Sequence, residues 1–240
     1  YSRAIQELAK YEGSIAITAG AHSSIGMRGL LIAGNDEQKG RYLSKLATGE
    51  MIAAFCLTEP GSGSDAASIK THAVKKGDKW ILNGEKLWIT NGGIADFYVL
   101  FARTGEGAGS RGISAFVVEA GTPGFEIAER IDVIAPHPLA RLRFSGCRVP
   151  KANRLGEPGE GFKIAMRTLD VFRTSVAAAA LGFGRRALHE GLERARSREM
   201  FGQRLADFQL TQARLAQMAT TIDSAALLTY RAAWQRDQGR

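Results

Sequence analysis

Cysteine is scarce in this chain of 240 residues, where only Cys56 and Cys147 occur. Two thiols so far apart build no disulfide framework. With no signal peptide read ahead of them, both are expected to stay reduced in a cytoplasmic protein. Long apolar runs are lacking too. No run of about 18 apolar residues suggests a membrane span, and the uncharged, alanine-rich segment 174–184 is too short to be one, so no membrane association is expected. Lysine and arginine outnumber aspartate and glutamate by 32 to 24, a formal net charge of +8, yet the cations are spread without a basic block. That distribution disfavours a nucleic-acid partner and suits a phosphate-rich small molecule at least as well. Neither the GxxxxGK[ST] lysine nor the GxGxxG order is present, which disfavours nucleotide binding of the P-loop or Rossmann kind. No internal repeat, low-complexity tract or long linker interrupts the chain, and no metal site is expected.

What is present is a globular composition, 45% hydrophobic, sufficient for a sizeable core. Residues 1–52 read as an N-terminal helical domain. A helix over residues 1–11 is expected to stop at Gly13, and a second segment carries Ile25, Leu30, Leu31 and Ile32. Asn35, three residues before Gln38, is a candidate N-cap for a helix with Tyr42, Leu43 and Leu46 on one face. Residues 53–152 change to short β-prone runs at 54–57, 80–82, 97–101 and 113–118, separated by Gly, Asn and Asp. Asn83-Gly84 predicts a type I′ hairpin between runs 80–82 and 87–89, and 142–144 is the expected last strand. Residues 153–240 return to helix. The small residues of 175–192 allow a second helix to pack very closely, a break falls at Phe201-Gly202, and a further helix covers roughly 207–236. The predicted fold class is therefore α+β, in the order helices, antiparallel β domain, helices. Tyr1 lies inside a helical run and Arg240 follows one, so both ends are expected to be cut.

Two segments carry candidate chemistry. The run 55–65, FCLTEPGSGSD, ends a strand and opens a Gly/Ser loop, where small residues let backbone N–H groups approach a phosphate or ring system and Thr58 and Ser64 add hydroxyls. Alone, this pattern is more often a wide turn. In the run 84–93, GEKLWITNGG, Trp88 and Thr90 stand two apart on one strand and so share a face, offering an aromatic plane and a hydroxyl to one ligand. A core tryptophan beside a satisfied threonine is the plainer account of that run by itself. Two such unusual elements within one small β domain favour the ligand.

With the strings CLTEPGSGSDAASIKT, LNGEKLWITNGG, RVPKANRLGEPGEGFKIAM and REMFGQRLADFQLTQARLAQMA at their spacings, the chain resembles the acyl-CoA dehydrogenase family over essentially its whole length. The resemblance implies an N-terminal helical domain, a central antiparallel β domain and a C-terminal four-helix bundle, here incomplete. It also implies an FAD site in which residues 55–64 and 88–90 wrap the flavin, with Phe55, Leu57, Thr58, Gly63, Ser64, Trp88, Ile89 and Thr90 as cofactor-binding residues. Thr58 would reach the pyrimidine end, Ser64 the pyrophosphate and CoA side, and Thr90 the neighbourhood of N5, while Trp88 would lie against the isoalloxazine ring. Arg198, Phe201 and Gln209 match positions that reach across a subunit interface to the partner's FAD, Arg198 towards the diphosphate. Asp170 and Arg173 match the CoA groove, with Ser64 also on the substrate side. The implied reaction is α,β-dehydrogenation of an acyl-CoA to the trans-2-enoyl-CoA, with electrons passed to an electron-transferring flavoprotein and the protein a homotetramer or homodimer.

The sequence departs from the family at two places. The general base is a glutamate on a late loop in most members, expected here beyond Arg240, and in others it directly precedes the arginine matched by Arg173. Phe172 stands there, and Asp170, two residues back on a helix, points elsewhere, so no catalytic base is named. The segment 131–140, IDVIAPHPLA, also differs, and its His137 reads as a solvated loop histidine. The competing readings are an acyl-CoA oxidase or flavin monooxygenase on the same fold, and a DNA-binding non-enzymatic relative whose only support is the net charge.

Overall fold

The computed structural model describes residues 1–105 and 107–239; Glu106, and Arg240 at the end of the expected bundle, lie outside them. The chain divides into two compact units, Thr18–Phe172 and a second formed by Tyr1–Ile17 with the residues from Arg173 onward.

The first helices are α1 (Ser2–Ala9), α2 (Gly13–Gly20), a π-helical turn (Ala21–Gly26), α3 (Arg28–Ala33) and α4 (Asp36–Thr48). Gly13 opens α2 instead of closing a helix of residues 1–11, because α1 already ends at Ala9 in a turn. The N-cap expected at Asn35 is present as a full capping box. The Asn35 side chain accepts from Gln38 N–H at 2.8 Å, and Gln38 Oε1 accepts from Asn35 N–H at 3.0 Å. Asp36 and Glu37 in the first turn and Lys45 in the last complement the helix dipole, and Gly49 at φ 78° closes the helix.

By length and composition alone, Gly13–Ala33 is apolar enough to cross a membrane, with a mean hydropathy of 1.2, which the sequence reading did not anticipate. Its later part is instead built into the β unit. The His22 ring bridges two segments there, Nδ1 accepting from Ala53 N–H at 3.0 Å and Nε2 donating to Leu46 O at 2.8 Å. Gly26 lies so close to Ala53 that a Cβ would meet its backbone at 2.8 Å.

The β unit contains β1 (Ala53–Cys56), β2 (His72–Lys76), β3 (Lys79–Thr90), β4 (Phe97–Arg103), β5 (Ile113–Glu119), β6 (Phe125–Arg130), β7 (Leu139–Pro150) and β8 (Arg154–Leu155). The sheet order is β6-β7-β3-β2-β4-β5-β8, antiparallel except that β1 pairs with β4 in parallel and a single His72–Arg103 pairing joins β2 to β4. Strands β4 and β5 are buried on both faces, and their alternation divides the core. Tyr98, Leu100, Ala102, Phe116 and Val118 pack with Trp80, Leu82, Leu142 and Phe144. Phe97, Val99, Phe101, Ala115 and Val117 face Leu30, Tyr42, Leu46, Ile164 and Ala165 of the helices. Each fully buried Phe or Leu contributes about 1.5–3 kcal/mol.

Two strand expectations are corrected. Asn83-Gly84 makes no hairpin, because β3 runs through it as one strand and the register against β7 merely shifts between Leu82 and Gly84. Gly84, at φ 147°, is required by a close approach: a Cβ there would meet Thr71 Oγ1, Cα and Cβ at 2.5–2.8 Å. The turn lies earlier, at Gly77-Asp78 between paired Lys76 and Lys79, with Gly77 at φ 61° as a type II′ turn needs. The last strand is neither 142–144 nor final, since β7 is twelve residues long and β8 follows it.

Beyond β8 comes α5 (Gly161–Ser197), then a short hairpin of β9 (Glu199–Met200) and β10 (Gln203–Arg204), then α6 (Gln209–Asp237). In the helical unit the small residues of α5 do bring another helix close. Ala179 packs with Ile5, Ala9 and Ala16, and a Cβ on Gly182 would meet Gln6 O at 2.4 Å and Ala9 Cβ at 2.7 Å. Tyr230 of α6 donates to the buried Gln6 side chain at 2.6 Å.

Candidate active site

The loop leaving β1 is shaped before any ligand enters. Glu59 and Ser62 exchange backbone bonds, Glu59 N–H to Ser62 O at 3.0 Å and Ser62 N–H to Glu59 O at 3.1 Å, closing a turn around Pro60-Gly61. The Ser62 hydroxyl donates to Asp65 O, and Ser68 donates to the Asp65 carboxylate. Gly63 and Ser64 are left exposed at the tip, and a Cβ at Gly61 or Gly63 would meet nothing within 4 Å. Phe55 is half-buried against the Phe101 ring at 4.9 Å, Leu57 is buried and Thr58 half-buried.

Beside this loop runs the end of β3. Leu87 N–H donates to Thr58 O at 3.0 Å, so Thr58 lies next to the residue that precedes Trp88. Trp88 occupies the left-handed region at φ 59°, where the register against β7 shifts again between Lys86 and Ile89. A bulky residue held there is strained, and such strain persists only where the surroundings enforce it. Its indole is 54% exposed, Ile89 is buried and Thr90 half-buried. Trp88 and Thr90 are thus more exposed than Ile89 between them, and a bulge, not plain alternation, sets the geometry. Asn91, also left-handed at φ 63°, donates from Nδ2 to Thr18 O at 3.1 Å, and its backbone N–H donates to Pro138 O at 2.7 Å. Its buried Oδ1 has no partner among the described residues, a polar acceptor left over at the end of the strand.

Lys86 and Glu59 were missed in the sequence. Lys86 is 0% exposed and Glu59 7% exposed. The ammonium donates to Glu59 Oε1 at 2.8 Å and to Leu57 O at 3.0 Å, and the same carboxylate accepts Thr71 N–H at 3.0 Å and Lys70 N–H at 2.6 Å. Burial acts to raise the Glu59 pKa, but the Lys86 charge and the N–H donors outweigh it and hold the carboxyl below its ordinary value. Burial likewise lowers Lys86, against the pull of Glu59. A signal existed in the sequence: Trp80, Leu82 and Lys86 share strand parity, so the lysine falls on the core side and needs a buried acid. Behind the pair, burial pushes the Cys56 thiol up to about 12 despite the Lys86 charge, and Cys147 also to about 12, so neither is a nucleophile at neutral pH.

A cavity of about 430 Å³ opens beside the pair, lined among others by Glu59, Lys70, Thr71, His72, Asn83 and Glu85. Trp88 and Thr90 are not among its lining residues.

In the helical unit Arg198, Phe201 and Gln209 cluster along the connection from α5 to α6. Phe201 (φ 54°) and Gly202 (φ 77°) form a two-residue turn with both φ positive, between paired Met200 and Gln203. The break expected there is thus a hairpin, and it thrusts out the Phe201 ring, 88% exposed. Arg198 and Gln209 are exposed, and Arg198 O accepts from Leu205 N–H at 2.7 Å. Asp170 and Arg173 are exposed on α5, with Phe172 half-buried between them. His137 lies in the loop before β7 and donates from Nδ1 to Ala135 O at 2.8 Å, a local contact that fits a loop histidine. Among the described residues no group of His, Cys, Asp and Glu could hold a metal ion.

Comparison with known proteins shows the family. Profiles described as acyl-CoA dehydrogenase N-terminal, middle and C-terminal domain match residues 1–50, 54–147 and 159–240. An acyl-CoA dehydrogenase of Bacillus subtilis (strain 168) is 42% identical over 241 residues, covering 100% of this chain and 64% of the relative. Among solved structures, butyryl-CoA dehydrogenase from Megasphaera elsdenii superposes with a TM-score of 0.95 at 42% identity, covering 99% of this chain and 63% of the other. A chain in the structure of the electron transferring flavoprotein of Acidaminococcus fermentans gives 0.96 at 45% identity, with 99% and 63% covered. The chain thus spans less than two thirds of the length of these relatives.

Proposed function

Since the chain belongs to the acyl-CoA dehydrogenase family, we propose that it forms most of the flavin site of an FAD-dependent enzyme that dehydrogenates an acyl-CoA thioester between its α and β carbons. The observation that carries this reading is the pairing of two segments. The Thr58 turn and the exposed, left-handed Trp88 are fastened side by side through the Leu87–Thr58 and Lys86–Glu59 bonds.

The residues present fit a flavin. The Trp88 indole offers a flat apolar surface for a ring system, Thr58 and Thr90 offer hydroxyls at its edge, and the unpartnered Asn91 Oδ1 is an acceptor that such a polar-edged ring could satisfy. When bound, the flavin supplies the acceptor for the hydride equivalent that leaves the β-carbon. The exposed Gly63-Ser64 tip would present backbone N–H groups and a hydroxyl to a pyrophosphate. Arg198, beside the Phe201 turn, would pair with the diphosphate of a second subunit's FAD, making the enzyme a homo-oligomer. Asp170 and Arg173 would line the CoA groove. Phe172 fills the internal family position of the base, and the base would come from outside these residues. Electrons would leave to an electron-transferring flavoprotein.

Anaerobic mixing of the flavin-loaded protein with acyl-CoAs of graded chain length tests this, with bleaching of the flavin band as readout. Residues 1–240 without the missing base should bleach with none of them, whereas in the protein complete with its base rates of about 1 s⁻¹ or faster with at least one acyl-CoA are expected. Absence of bleaching with every chain length in the protein complete with its base would contradict it.

A further inference from the structure

We propose that Lys86 is a positioning residue of the flavin site, its ammonium clamping the loop that carries Thr58 and Ser64 to the strand that carries Trp88 and Thr90. This inference rests on the flavin reading above and adds a role that neither motif contains.

The argument begins with cost. Taking a lysine and a glutamate out of water is expensive, and a buried ion pair can often be replaced by apolar side chains of similar volume with no loss of stability. A pair this deep is therefore weak evidence of a stability device, and its contacts show what else it does. Strand β1 ends at Cys56, and the carbonyl of Leu57, the next residue, is held by Lys86 Nζ. Glu59 opens the turn of the loop and is held by the same ammonium. Through its carboxylate, Glu59 also fixes the N–H groups of Lys70 and Thr71, where the chain returns towards β2. One side chain thus ties both ends of the loop to β3, two residues before Trp88. The backbone bond from Leu87 N–H to Thr58 O lies between these anchors. An apolar side chain could fill the same volume, but it could not orient a carbonyl, a carboxylate and the turn between them. Release of the clamp would let the loop slide relative to Trp88, and the hydroxyls of Thr58 and Ser64 would no longer be set against the indole face.

The test compares wild type with Glu59→Gln alone and with Lys86→Met combined with Glu59→Gln. The double variant keeps chain length and leaves no lone buried charge. Each is read by the melting temperature of the apoprotein, the Kd for FAD and the visible spectrum of the bound flavin. The double variant is expected to melt close to wild type yet bind FAD at least about tenfold more weakly, with an altered flavin band. Glu59→Gln keeps the bond to Leu57 O but leaves the Lys86 ammonium buried without its counter-charge, so it should melt below both while its FAD affinity falls between them. FAD affinity and spectrum equal to wild type in a folded double variant would overturn the positioning role alone. Should that variant not fold, Glu59→Gln decides by its FAD affinity and flavin spectrum, both read below its own melting temperature, unchanged values overturning the role and shifted ones supporting it. A wild-type protein with no affinity for FAD would overturn the flavin reading and this inference together.

Discussion

Substitution of Gly84 by alanine should damage this protein far more than one methyl group suggests. At φ 147° an L-residue is strained, which costs about 1–3 kcal/mol. The added Cβ would also lie 2.5 Å from Thr71 Oγ1, 2.6 Å from its Cα and 2.8 Å from its Cβ. The hydroxyl could rotate away, but the Thr71 backbone cannot easily retreat because its N–H is bonded to the buried Glu59 carboxylate. Overpacking against a fixed neighbour adds about 1–3 kcal/mol, so about 4 kcal/mol in total is expected. Gly40→Ala is the control. It lies in α4 with nothing within 4 Å of its Cβ, and alanine there should stabilise the protein by about 0.5–1 kcal/mol. Urea unfolding of apoprotein followed by circular dichroism measures both, read as midpoint shifts at constant slope. With slopes of about 1–3 kcal/mol per M, Gly84→Ala should lower the midpoint by about 1.3 M or more while Gly40→Ala raises it slightly. A Gly84→Ala midpoint within about 0.3 M of wild type would refute the close-approach argument.

Asn35→Ala removes the side-chain half of the capping box, the acceptor for Gln38 N–H, and should cost about 1 kcal/mol in the same assay, with Asn35→Ser losing much less. Cys56 and Cys147, both buried with thiols near 12, should resist a thiol-specific dye at pH 8 in the native protein and label fully on unfolding. Glu59 sits below its ordinary value of 4.5. A depressed carboxyl stabilises the fold above the unfolded value and loses that contribution as pH falls through the folded one, so acid unfolding below about pH 4.5 should be less steep in Glu59→Gln than in wild type.

Local signals were the legible ones. Asn35 and Gln38 are three apart and cap each other, and the alanine and glycine of α5 meet α1 as their size suggested. The two loop strings could be read because their chemistry is contiguous in sequence. Asn83-Gly84 misled because the preference for a type I′ turn is local whereas the demand for glycine there is not: Thr71, thirteen residues earlier, crowds the site. The turn at Gly77-Asp78 was overlooked for the same reason, as nothing in its immediate sequence ranks it above Asn83-Gly84. Lys86 was not singled out because its partner, Glu59, lies in another segment and was read only as part of a loop. The apolar character of Gly13–Ala33 went unremarked in the sequence, and His22, Gly26 and Leu30 show that contacts with the strands account for its composition.

The central claim is that the Thr58 loop and the Trp88 strand are two sides of one flavin platform. An experimental structure of the protein saturated with FAD measures this directly. The isoalloxazine ring is predicted to stack on or beside the Trp88 indole, with Thr58 and Thr90 hydroxyls within hydrogen-bonding distance of its edge. A flavin bound elsewhere, with Trp88 still turned to solvent and Thr58 and Thr90 out of reach of the ring, would contradict the account.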